Sequence, residues 1–409
     1  MTAPVAPMRD THESGAPARD TLGVWCGWVL VALCFLTPFA AWLGPLSFAV
    51  LMALAGLLTL PAVRITDGDR PALIVLFAAL IWAAVSTTWS PFQPKHPQDS
   101  AIVKLTFEMP LYWSAICAGR RADPRLAKLA LRVLAFGFGV LGLILLAEAA
   151  TGGAIYRAIH IAFYAPIRPD LAAKNVAETT FVVALLWPLA ALGGPAKLRP
   201  WLALAMVAGA GIAAFRLLSD APVLALVLSL LTGLAAWRQP KWTPRVLAIL
   251  VAAFFLAAPA LIWAIQASGD IAVIQARLPL SWSERVGYWS HAAGWIADRP
   301  LKGWGLDASR MFAPGIQLHP HDDALQIWLE LGLIGAVTAA VFWGLTLARL
   351  SRPVRDLTAN AAMASLAAYL LFGAINFGVW QEWWLGLGAL VAVLVALHRR
   401  VGDAAELST

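Results

Sequence analysis

Charge is what this chain of 409 residues most lacks. Only 13% of its residues are Asp, Glu, Lys or Arg, against about 25% in soluble domains. With 60% hydrophobic residues and a mean hydropathy of +0.74, a water-soluble fold is excluded. Cysteine is also scarce. Cys26, Cys34 and Cys117 all fall in apolar segments without CxxC spacing or a Cys/His cluster, which argues against a disulfide framework and a thiolate metal site. No solenoid repeat and no internal symmetry between halves is visible, which counts against repeat-built transporter folds. The net charge of +7 requires no nucleic-acid partner, because excess Lys and Arg in a membrane protein gather in cytoplasmic loops.

What is present is a succession of apolar runs, each close to the length of about 20 residues that a helix needs to cross a bilayer. They predict an all-α polytopic membrane protein with about twelve spans, near 22–43, 46–63, 71–89, 104–119, 129–150, 176–194, 200–215, 221–237, 246–266, 323–348, 358–375 and 382–398. Twenty Trp suit interfacial belts. Residues 1–21 and 399–409 read as cytoplasmic tails, the first disordered. Spans one to nine occupy 22–266, a long loop 267–322, and spans ten to twelve 323–398. With both termini inside, the inner connections carry Arg64 and Arg70, then Arg120, Arg121, Arg125 and Lys128, then Lys197 and Arg199, then Arg238, Lys241 and Arg245, then Arg349, Arg352 and Arg355, then Arg399 and Arg400. Every inner loop is basic, as the positive-inside rule requires. The long loop then faces outside, which in a Gram-negative cell is the periplasm.

That rule disfavours the few outer cations: Arg157, Arg168 and Lys174 in the 151–175 loop, Arg216, and those of the long loop. An anionic ligand on the outer face would explain them. Within the long loop, 283–298 has helical character, with Ser283 as N-cap and Val286, Trp289, Ala293 and Ile296 near one face. Arg285 falls on its first turn; the plain alternative is an interfacial helix whose Arg snorkels. Pro300, Gly303 and Gly305 break this helix. In HPHDDALQIWLELGLIG, Asp323 is the expected cap of the tenth span with Gln326 at the capping-box position. His321 then sits at a helix mouth, where a side chain with an ordinary pKa near 6.5 is a natural general base. Glu330 lies two turns deeper, where a carboxylate needs a partner or a polar cavity. His291 and His319 read by themselves as interfacial histidines. Arg216, between two apolar runs, should face a cavity or an anion, and its fork suits phosphate oxygens. Asp67-Gly68-Asp69 matches a sugar-transferase DxD pattern, but Asp-Gly on a short loop reads as a turn. Asp322 and Asp323 lack a third hard ligand, so no metal is assigned.

These residues resemble the O-antigen ligase and polymerase family of bacterial membrane glycosyltransferases, over roughly residues 170–340. The resemblance rests on HPHDDALQIWLELGLIG, on ERVGYWSHAAGWIADRPLKGWG with its Pro-x-x-Gly-Trp-Gly turn, on an arginine opening the eighth span (Arg216 before SDAPVLALVLSLL), and on KNVAETTFVVALLWPLAAL. Asp322 departs from the Asn or Ser often found after that histidine. The resemblance implies transfer of an undecaprenyl-diphosphate-linked glycan to a hydroxyl of lipid A-core among membrane lipids, inverting and without metal or other cofactor. His321 would be the base, with Arg285 and Arg216 on the diphosphate. Lys174, Arg168, Asn175, Arg157, His319, Glu330 and Asp322 complete the set as substrate-binding candidates. A surface-polysaccharide polymerase or a protein O-oligosaccharyltransferase shares these signatures and differs in acceptor. A lipid or solute transporter would instead place charges near mid-span.

Overall fold

The computed structural model describes residues 20–406, so most of the expected N-terminal tail and the last three residues lie outside it. The described chain is all helical: α1 (Thr21–Leu43), α2 (Ser47–Leu58), α3 (Arg70–Ser86), α4 (Ala101–Arg121), α5 (Pro124–Thr151), α6 (Ala154–Phe163), α7 (Pro169–Gly193), α8 (Arg199–Arg216), α9 (Asp220–Arg238), α10 (Trp242–Ser268), α11 (Ile271–Arg277), α12 (Leu280–Asp298), α13 (Asp323–Ala348), α14 (Leu357–Ile375) and α15 (Glu382–Glu406). Twelve of these coincide with the twelve apolar runs; α6, α11 and α12 lie in the two longest connections. Among the described residues, nine helices are long and apolar enough to span a membrane. The other three are α2, only 12 residues long, α4, which carries Lys104 and Glu108, and α8, bracketed by Arg199 and Arg216.

The main core is built mainly by α1, α2, α4, α5, α7, α8, α14 and α15, with Phe48, Phe138, Phe372 and Trp384 among its largest buried side chains. A second core joins α10, α12 and α13 through Phe255, Ile296, Leu329 and Trp328. Ion pairs and hydrogen bonds gather the basic connections at one end of the bundle. Asp20 at the start of α1 pairs with Arg121 at 2.9 Å, and Arg400 donates to the Ala122 carbonyl at 2.9 Å. Arg399 pairs with Asp356, Arg355 donates to the Trp237 carbonyl, and Ser351 to that of Lys241. The Asp67-Gly68-Asp69 segment lies here as well. Asp69 accepts from the Thr66 backbone and hydroxyl and takes both prongs of the Arg120 guanidinium at 2.7 and 3.0 Å, so its carboxylate is committed to the turn.

At the opposite end, α13 is broken. Gly332 leaves the helical region at φ 67°, ψ −160°, which frees carbonyls that lipid cannot satisfy. The Pro300–Gly305 turn supplies their partners. Trp304 N–H donates to the Leu329 carbonyl and Gly305 N–H to that of Glu330, both at 2.8 Å, while Leu333 N–H returns to the Pro300 carbonyl at 2.8 Å. From α3, the Trp82 indole donates to the Leu331 carbonyl at 2.9 Å. Two glycines permit this approach. Gly303 (φ 68°) and Gly332 both adopt a left-handed backbone, and a Cβ on either would lie 2.4 Å from a facing carbonyl oxygen, of Glu330 and Leu301 respectively.

Gly303→Ala and Gly332→Ala should therefore each destabilise the protein by about 1–3 kcal/mol, read as a lowered Tm of the detergent-purified protein. Gly344→Ala on the same helix, with open space at its Cβ, should leave Tm unchanged or raise it slightly. Equal Tm values for all three variants would contradict the docking described.

Candidate functional site

Helix α12 starts at Leu280, three residues before the expected Ser283. Its N-cap is Pro279, which makes no side-chain cap and whose ring presets the φ that a helix start requires. Arg285 consequently lies on the second turn rather than the first. Ala292, Ala293 and Ile296 form the buried face, with Trp289 packed beside it. Arg285 turns the other way. Its guanidinium lies 5.3 Å from the Trp282 ring, donates to the Ser281 carbonyl at 3.3 Å and to the Asn376 side-chain oxygen at 2.8 Å. Its Nε is buried and has no hydrogen-bond partner. No carboxylate pairs with it among the described residues, and burial lowers its pKa from the usual guanidinium value. A buried, unmatched N–H on a cation is costly, and an anionic oxygen would relieve it.

His321 occupies the turn before α13 with φ 58°. The cap of α13 is Asp322, not the expected Asp323: its extended backbone aims the carboxylate at Leu325 N–H, 2.8 Å away. Asp323 instead sits buried on the first turn against Gly373. Burial beside Asp323 pushes the Asp322 pKa well above the carboxylate range. The Gln326 side chain does not close a capping box. It donates to Glu330 and accepts from Val379 N–H.

His321 Nδ1 lies 2.7 Å from the Asn376 carbonyl. A carbonyl only accepts, so Nδ1 carries the proton and Nε2 keeps its lone pair. Tyr288, one turn beyond Arg285, stacks on the imidazole at 5.9 Å. Burial lowers the His321 pKa, and the nearby Arg285 charge adds to this against the bond to Asn376. His319 packs against His321 with ring centres 4.2 Å apart, and its Nδ1 accepts from the His321 backbone N–H at 3.1 Å. Its Nε2 then bears the proton and lies 3.4 Å from the Gln381 side-chain nitrogen.

Asn376 thus serves both principal residues, its carbonyl holding His321 and its side chain holding Arg285. Sequence reasoning passed over it. The signal was available in NFGVWQ, a short polar break between two apolar runs. That connection is fixed from below by Phe377, which packs on Phe181, Trp383 and Trp384 at 4.6–5.1 Å.

Arg216 is the last residue of α8, so it closes the seventh span rather than opening the eighth. It is exposed and has no ion pair among the described residues. The following turn reaches the site, because the Trp282 indole on α12 donates to Asp220 at 3.2 Å. Among the described residues, no hydrogen bond or ion pair joins the 151–175 candidates to the His321 cluster. Arg168 is exposed and paired with Asp170, Arg157 and Lys174 are exposed, and Asn175 donates to the Tyr156 hydroxyl at 3.1 Å. Glu330 is fully buried and accepts from Asp307 N–H (2.9 Å), Ser309 (2.7 Å), Gln326 (3.1 Å) and Trp380 (2.6 Å). Its oxygens are used in fastening the loop, which leaves little for a substrate. Among the described residues no three His, Cys, Asp or Glu side chains cluster as metal ligands.

Residues 202–340 match a family model described as O-Antigen ligase. That stretch includes Arg216, Arg285, His319, His321, Asp322 and Glu330, and excludes the 151–175 candidates and Asn376. Among similar proteins, a putative polysaccharide ligase of Rickettsia conorii is 30% identical over 129 residues, covering 28% of this chain and 31% of that one. One of Rickettsia prowazekii is 31% identical over 132 residues, covering 28% and 32%. The matched region thus spans about a third of each relative's length. No solved structure gives a significant match.

Burial, with the His321 and Arg310 charges adding, pushes the His319 pKa down from 6.5 to about 3. A histidine depressed on folding stabilises fully above its unfolded pKa, and that contribution is lost as pH falls toward the folded value. Stability should therefore decline from about pH 6.5 toward pH 3 with a limiting slope of about 1.4 kcal/mol per pH unit. His319→Asn, which keeps an acceptor near the Nδ1 position but does not titrate, should flatten this decline in a Tm-versus-pH series. An identical slope in both proteins would refute the assignment.

Proposed function

We propose that this chain, whose residues 202–340 match the O-antigen ligase family model, is a polysaccharide ligase of that family acting on a lipid-linked glycan. Its donor is an undecaprenyl-diphosphate-linked glycan, and its acceptor a sugar hydroxyl of lipid A-core. The observation that carries the reading is the Asn376 joint. It holds a neutral imidazole with a free Nε2 beside a guanidinium that has no carboxylate partner and one buried donor unused.

In the proposed reaction His321 Nε2 takes the acceptor's hydroxyl proton as that oxygen attacks the anomeric carbon. The new glycosidic C–O bond forms as the bond to the diphosphate breaks, inverting the centre. The departing lipid diphosphate keeps the electron pair. Arg285 meets its growing charge, with Arg216 approaching from the α8–α9 turn, as preorganised cations do in a partly desolvated site. A depressed His321 pKa keeps the ring neutral, and so able to accept a proton, at and below pH 7.

The orientation proposed has both termini in the cytoplasm and the His321 end at the periplasmic face. It is supported by the basic connections tied together at the other end. The names of the relatives favour a ligase over a polymerase or a protein-glycosylating enzyme.

Deleting the gene should remove long-chain lipopolysaccharide while full-length lipid-linked polymer accumulates. Core bearing a single repeat unit would instead reveal a polymerase, and unchanged surface glycans would exclude both. In membranes, His321→Ala should cut transfer by about 10²–10⁴-fold, and Arg285→Ala by about 10²–10³-fold, with insertion intact. Because protonation disables His321 and its pKa is lowered, the acid limb of kcat/KM should bend below pH 6.5. A bend above that value would count against His321 as the base.

A further inference from the structure

A second feature at the same end of the bundle takes no part in the proposed reaction. Helices α2, α4 and α15 enclose a groove of roughly 370 Å³. Its wall is one face of α2, where Ala49, Ala53 and Leu57 recur at helical spacing. Its polar end is made by Lys104 and Glu108, one turn apart on α4, with Glu382 at the start of α15. Lys104 forms an ion pair with Glu382. Glu108 has an oxygen, Oε2, that is buried and accepts no hydrogen bond. The groove holds one cation against two carboxylates, so with all three ionised it carries one negative charge. Its apolar wall rises about 12 Å along α2, and two further lining residues, Val50 and Leu54, are more than half exposed, as lipid-facing residues are.

We propose that this groove binds an ethanolamine-headgroup phospholipid of the surrounding leaflet. An acyl chain lies along α2, and the primary ammonium donates to Glu108 while the phosphate lies by Lys104. Each part of that ligand answers a feature of the groove. The ammonium supplies donors for the unused carboxylate oxygen and balances the excess negative charge. A choline headgroup has no N–H to donate, and a glycerol headgroup leaves the lipid anionic against a net-negative site. Glu382 directly follows Gln381, which contacts His319, so the groove adjoins the α14–α15 connection. The proposal does not depend on the transfer chemistry.

The test is native mass spectrometry of the detergent-purified full chain, delipidated and then titrated with phosphatidylethanolamine, phosphatidylcholine or phosphatidylglycerol of matched acyl chains. Phosphatidylethanolamine should be retained about tenfold better than either, the worth of one charge-assisted hydrogen bond. Glu108→Gln should abolish that preference. Ala53→Trp, which fills the groove from its apolar wall, should reduce retention of all three lipids at this site, and it provides a check that leaves the charged end untouched. Equal retention of the three lipids by the unaltered protein, preference for phosphatidylglycerol, or an unchanged preference in Glu108→Gln would each overturn the proposal.

Discussion

Everything at the working end of this bundle depends on how one interrupted helix recovers its hydrogen bonds. At Gly332 the α13 backbone leaves the helical region, and the carbonyls of Leu329, Glu330 and Leu331 lose their ordinary partners. In hydrocarbon each unmatched group would cost several kcal/mol. The Pro300–Gly305 turn and the Trp82 indole provide the missing donors, so the long connection is fastened to the span it precedes. The Glu330 side chain completes the attachment by accepting from four donors, two of them on that same connection. A buried carboxylate is tolerated when hydrogen bonds replace its hydration.

This attachment sets the position of the candidate site residues. The segment running from Asp307 to His321 is tied at its start to Glu330, and at its end Asp322 caps α13. His321 thus lies between two tethered points. On the other side, α12 carries Arg285 and Tyr288 on successive turns of one face, and both converge on the His321–Asn376 pair. The α14–α15 connection is in turn held by Phe377 in the main core. Four separate segments thus place the two candidate residues, which meet at a single asparagine. In lipid, where water competes little, such bonds are stronger than at a soluble surface.

Much of this was legible in the residues. The twelve apolar runs, the helical character of α12 and the turn at Asp67–Asp69 follow from length, periodicity and turn chemistry, while Arg285 and His321 were singled out as candidates by their positions and by the family resemblance. Two local expectations failed by a few residues. The start of α12 moved to Leu280 because proline presets a helix as well as serine caps one. The cap of α13 moved to Asp322 because, of two adjacent aspartates, only the one in extended conformation can reach Leu325 N–H. Glu330 showed that a deep carboxylate needs partners, but a single chain position does not reveal that loop donors would satisfy it.

What the sequence determined by itself is therefore one-dimensional: which stretches must be helices in a membrane, and which polar residues are too costly there to be incidental. What only the tertiary structure decided is which of those residues meet. Asn376 lies 91 residues from Arg285 and 55 from His321, and the break it sits in does not say which side chains it would accept from. The same holds for Glu330, whose donors include Asp307 and Ser309 of the loop and Trp380 beyond α14. Hydrogen-bond complementarity is settled by distance and direction between segments, and those exist only once the helices have packed.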